Sequence, residues 1–138
     1  METDSMTTET RLEMGYKLSS DKAFDDVVTS LEENVAKHQF RVQGVHDVRQ
    51  TLAEKGFERE PLKIIEVCNA SFAHQALSKD IDVAMFMPCR YSVYTKDGRT
   101  HVTLARPSMI ARMLPGIGLE PLAEEVETTL KKIMEESV

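Results

Sequence analysis

The chain alternates short stretches of period two with stretches of helical period. Leu12, Met14, Tyr16 and Leu18 alternate with Arg11, Glu13, Gly15 and Lys17, which predicts a half-buried strand. Ser19-Ser20-Asp21 offers N-cap chemistry. Phe24, Val27, Val28, Leu31 and Val35 then recur at helical spacing, so residues 21–38 read as an amphipathic helix. A second strand is expected over 40–45. Asp47-Val48-Arg49-Gln50 has the form of a capping box, and Gly56 is a good residue to end the helix that it starts. Residues 61–68 form a third strand, apolar on both faces at Ile64-Ile65 and therefore an interior one. A short helix follows over 70–77.

Lys96-Asp97-Gly98-Arg99 sets a two-residue Asp-Gly turn between two β-rich runs, 89–95 and 100–106. That turn fixes the register: Thr95 opposes Thr100, Val93 opposes Val102, Tyr91 opposes Leu104 and Cys89 opposes Arg106. These side chains share the more apolar face, which should be the core face. Arg90, Ser92, Tyr94, His101, Thr103 and Ala105 share the other. Pro107 ends the hairpin and Ser108 is expected to cap a short helix with Met109, Ile110 and Met113, halted by Leu114-Pro115-Gly116. Pro121 suits the first turn of a last helix whose apolar stripe is Leu122, Val126, Leu130 and Ile133. Its glutamates, Glu127 among them, read as the solvated face. The order β-α-β-α-β-α-β-β-α-α predicts a single α+β domain over 11–138, with a mostly antiparallel sheet and helices packed on one face. Residues 1–10 read as a disordered acidic tail.

A chain of 138 residues with 41% hydrophobic content has room for one domain and its core. The N-terminus lacks the basic and apolar regions of a signal peptide, and no apolar stretch reaches the roughly 18 residues of a membrane span. A cytoplasmic protein without a membrane partner is expected. The formal net charge of −6 and the absence of a dense basic run disfavour nucleic acid. No phosphate loop, Gly-x-Ser-x-Gly or His-Glu-x-x-His occurs.

The candidate chemistry is carried by Cys68, Cys89 and His74. Cys68 closes the apolar run of the third strand, Cys89 opens the fourth, and His74 stands about one turn into the helix after Cys68. Backbone N–H groups of Asn69 and Ala70 at that helix start can depress a thiol pKa. Two sulfurs and a nitrogen would suit zinc or another thiophilic metal. Equally, free cysteines are among the most buried residues and both can be core. Met85 and Met87 beside Cys89 form a soft-ligand edge that fits Cu(I) or simply fills core gaps. Glu66, alone in an apolar strand, is expected to pair with Arg90 or Arg106, or to face solvent.

These segments resemble the domain of unknown function 302 family, small conserved microbial proteins. The likeness lies in Lys22-Ala23-Phe24, Asp47-Val48-Arg49-Gln50-Thr51-Leu52, Ile65-Glu66-Val67-Cys68-Asn69, Ala73-His74-Gln75-Ala76-Leu77 and Met87-Pro88-Cys89. It spans residues 11 to about 136. The chain departs from the family pattern at Ala70, where proline is common, and at Met85 and Met87, where leucine is usual. The resemblance implies a small α+β domain, often paired as a homodimer, and supplies a fold and a site but no reaction.

Two functions are therefore expected to compete. One is a non-catalytic dimeric module binding a small ligand at Cys68, Asn69, His74, Cys89 and Arg106, or a metal at Cys68, His74 and Cys89. The other is a thiol-dependent redox enzyme or sulfur carrier using Cys68 or Cys89.

Overall fold

The structure is a computed structural model that describes residues 14–138. The predicted tail and the first residues of the predicted first strand, Arg11, Leu12 and Glu13, lie outside the described residues. Five strands form one antiparallel sheet in the order β1-β5-β4-β3-β2: β1 Gly15–Ser20, β2 Arg41–Asp47, β3 Leu62–Cys68, β4 Cys89–Lys96 and β5 Arg99–Ala105. The helices are α1 Phe24–Lys37, α2 Val48–Ala53, α3 Ala70–Lys79, α4 Pro107–Met113 and α5 Glu120–Ser137, with a 3-10 helix over Ile81–Phe86 between α3 and β4. The α+β architecture and the order of its elements are those expected from the sequence pattern.

The β4–β5 hairpin fixes the faces. Asp97 and Gly98 both take positive φ, 53° and 76°, as a tight twisted turn requires. The register pairs Thr95 with Thr100, Val93 with Val102 and Tyr91 with Leu104. Tyr91, Val93, Val102 and Leu104 are fully buried under α1 and α5, together with Val27, Leu31, Val35, Leu130, Ile133 and Met134. The opposite face carries Tyr94 stacked on His101, with ring centroids 5.2 Å apart, and His101 Nδ1 within 2.8 Å of Ser19 Oγ. On that face Glu66 meets Arg90 at 3.8 Å.

Three local expectations need correction. Ser19-Ser20-Asp21 does not cap α1: Ser20 ends β1, and the cap position is Ala23, which makes no side-chain cap bond. Ser108 does not cap α4 either; Pro107 begins that helix and Arg106 holds the cap position without a side-chain bond. Glu127, assigned to the solvated face of the last helix, is buried. Its Oε2 accepts from the Tyr16 hydroxyl at 2.9 Å and from Arg106 Nε at 3.2 Å, and its Oε1 accepts from the Ser108 backbone N–H at 2.9 Å. One carboxylate thus supplies the acceptor missing at the start of α4 and ties β1, β5 and α4 to α5. The guanidinium of Arg106 also lies over the Tyr16 ring, 5.1 Å from its centroid.

Burial pushes the Glu127 carboxyl up, but hydrogen bonds from Ser108 and Tyr16 and the charge of Arg106 outweigh it and hold the carboxyl below its usual range. Its folded pKa is therefore lower than its unfolded one. The resulting stability is complete above the ordinary glutamate range and is lost as pH falls through the depressed folded pKa. Glu127→Gln should lower stability by about 2 kcal/mol at neutral pH, because it weakens several partly buried hydrogen bonds at once. It should also flatten the acid limb of the stability profile. Chemical denaturation of both proteins from neutral to acid pH checks this; parallel profiles would show that Glu127 is not the linked group.

Candidate functional site

Cys68 ends β3 and Cys89 begins β4, and the two strands pair with Val67 opposite Cys89. Both thiols therefore stand at the same end of neighbouring strands. They are free and half-buried. Immediately after Cys68, Asn69 caps α3 through its side chain, which accepts from the Phe72 N–H at 3.0 Å, and its Nδ2 donates to the Gln39 carbonyl at 2.9 Å. This cap ties the helix to the corner before β2. There Phe40 packs against Phe72 with centroids 5.9 Å apart.

At this end of the sheet lies a half-open cavity of about 80 Å³. Its wall is formed by Cys68, Asn69 and Cys89, by Phe72, Ala73 and Ala76 of α3, and by Leu122, Ala123 and Val126 of α5, among others. Phe40, Val67 and Val126 belong to the main core, whereas Val83, Leu119 and Leu122 belong to a second cluster around Ala111. The cavity lies where the two clusters meet. Alanines make the room: Ala73 and Ala76 on α3 and Ala123 on α5 stand in stripes that are otherwise filled by larger side chains. Among the described residues the wall contains no Asp, Glu, His, Lys or Arg.

The thiols are not set up for attack. Burial pushes the Cys68 thiol up, against a small lowering from its contact with the Asn69 backbone. Burial, with the nearby Cys68, pushes Cys89 up to about 11. The expected lowering by the start of α3 is overridden by desolvation.

The structure separates the other expected site residues. His74 is exposed on α3 and is absent from the cavity wall; its carbonyl accepts from Ser78 Oγ. Among the described residues no three His, Cys, Asp or Glu side chains come together in a way that could hold a metal ion, so Cys68, His74 and Cys89 do not form the expected zinc site. Arg106 is also absent from the wall and pairs with Glu127. Residues that spacing alone did not single out are Phe40, Phe72, Ala73, Ala76, Leu122 and Ala123. Their signal was present as alanines set in two apolar helix stripes.

The model of the family described as Domain of unknown function DUF302 matches residues 16–137. The chain belongs to this family. Among solved structures it is similar to the crystal structure of the uncharacterized conserved protein DUF302 from Bacillus stearothermophilus. The two share 27% identity and a TM-score of 0.86, over 91% of this chain and 98% of that one. No curated protein matches it. Among the described residues no helix is long and apolar enough to cross a membrane. Among the described residues, what sets the cavity of this DUF302 chain apart from its polar surface is a wall that, Asn69 and the two unpaired thiols aside, is apolar.

Because only a thiolate alkylates, Cys89 should react very slowly with iodoacetamide at neutral pH, with about one thiol in ten thousand ionised at pH 7. Cys68 should also react more slowly than a free thiol of ordinary pKa. Mass spectrometry over a time course checks this, and a Cys89 that reacts faster than the free thiol would overturn the reading of both sulfurs as neutral wall groups.

Proposed function

We propose that the protein is a non-catalytic binding module, working as a homodimer, that holds a small uncharged apolar ligand in the cavity beside Cys68 and Cys89. The observation that supports this is the wall itself: a mostly apolar cavity open on one side, bounded in part by two neutral thiols, with no acidic, basic or cationic side chain among the described residues. A ligand site is typically concave and mostly apolar, with few polar groups. Catalysis would need a poised acid, base or nucleophile, and among the described residues the wall offers none.

The dimer reading rests on the sheet face that α1 and α5 leave open. Its middle carries Leu62 opposite Tyr94 and Ile64 opposite Ser92, all half-buried, with Lys17 and Arg90 exposed beside them. An apolar centre within a charged margin is the usual anatomy of an interface, and a two-fold pair would bury about 1,200 Å² or more.

Benzene is small enough to probe the cavity. It should shift the methyl resonances of Ala73, Ala76 and Ala123 in the metal-free protein, and Ala73→Phe, which fills the space, should abolish those shifts while the fold is kept. Saturating benzene without a shift at these methyls would remove the binding reading. Light scattering at micromolar concentration tests the pairing: a mass near twice 15.6 kDa is expected, and 15.6 kDa would refute it.

A further inference from the structure

Three phenyl rings stand on the wall of the cavity, and each comes from a different part of the chain. Phe40 leaves the corner between α1 and β2, Phe72 stands in the first turn of α3, and Phe86 ends the 3-10 helix. Phe40 is buried, whereas Phe72 and Phe86 are half-buried. The rings of Phe40 and Phe72 lie 5.9 Å apart at an interplanar angle of 41°.

The backbone under these two rings is pinned. The Phe40 N–H donates to the Val35 carbonyl at 3.0 Å, across Gln39, whose φ of 66° turns the chain sharply out of α1. Asn69 then ties that corner to α3. One end of its amide donates to the Gln39 carbonyl, and the other accepts from the Phe72 N–H. One side chain thereby sets the spacing of two rings before any ligand arrives.

Size and chemistry narrow the occupant. A dry cavity of about 150 Å³ takes benzene, and this one, at about 80 Å³, is smaller but open on one side. One ring can enter with an edge at the mouth, and there is no room for a second. With Asn69 engaged at both ends, a charged ring would bring its own groups into the wall unpaired. A ring that meets another offset or edge to face gains roughly two- to tenfold in affinity beyond what its buried area supplies. An aliphatic molecule of equal size gains from area alone. We propose that this cavity selects a single uncharged aromatic ring over an aliphatic molecule of the same size, with Phe40, Phe72 and Phe86 as the recognising groups. The inference rests on the binding-module reading and names its ligand class.

The test compares benzene with cyclopentane on the full chain, followed at the methyl resonances of Ala73, Ala76 and Ala123. The two molecules are close in volume. Cyclopentane is the more hydrophobic, so buried area alone favours it. Benzene should instead bind at least about threefold tighter. Phe86→Leu keeps the wall apolar and removes one ring; it should narrow that ratio by about twofold or more while cyclopentane still binds. Nuclear Overhauser contacts from bound benzene should reach the ring protons of Phe72 and Phe86 in the natural sequence, a readout that needs no variant. Benzene that binds no tighter than cyclopentane, an unchanged ratio in Phe86→Leu, or contacts that miss these rings would each overturn the ring preference and leave the binding module standing. Benzene that shifts none of the methyls would remove both.

Discussion

The docking of α5 across the sheet is the interaction on which the rest of the molecule depends. Leu130, Ile133 and Met134 are fully buried against the strands, and the Tyr91 hydroxyl, itself fully buried, donates to the Leu130 carbonyl. At the C-terminal end Asn34 Nδ2 donates to Ser137 Oγ at 3.0 Å, and that hydroxyl donates to the Ile133 carbonyl at 2.7 Å. Near the other end Glu127 gathers Tyr16, Arg106 and the start of α4. Apolar burial supplies the bulk of the stability, while the polar contacts, each modest in net energy, fix the register of the helix along its axis. That register decides where Leu122, Ala123 and Val126 stand, and so decides the shape of the cavity.

The cavity in turn explains the state of the thiols. A cysteine beside a helix start gains from the backbone dipole only if water or a counter-charge also supports the thiolate. At Cys68, beside the start of α3, burial still pushes the thiol up, and the more deeply set Cys89 is pushed up to about 11. The same burial makes both sulfurs poor nucleophiles. The likeness to the Bacillus stearothermophilus DUF302 protein extends this fold to a second member of the family.

Much of the fold was legible because local chemistry and global pattern agree. The Asp97-Gly98 turn fixes the register of β4 and β5, and the apolar set it groups, Tyr91, Val93, Val102 and Leu104, marks the buried face. Glu127 was misread because its charge was weighed above its position. It stands four residues after Ala123 and three before Leu130, inside the buried stripe, and its partners come from elements far along the chain. Convergence of Cys68 and Cys89 at one sheet end followed from strand ends and pairing. The absence of His74 and Arg106 from the cavity wall depended on helix rotation and on the Glu127 carboxylate, neither of which spacing encodes. The 3-10 turn over Ile81–Phe86 carries no period, and only its packing of Val83 against Ala111 and Leu119 reveals its role as a cavity wall.

The central claim is that packing between α3 and α5 leaves a real apolar void next to the two thiols. Xenon enters dry cavities of this kind without needing a hydrogen bond or a charge. A crystal of the protein pressurised with xenon should show one strong site bounded by Phe72, Ala76, Leu122 and Cys89. A crystal with no xenon at this end of the sheet, or with these side chains closed on one another, would contradict the account.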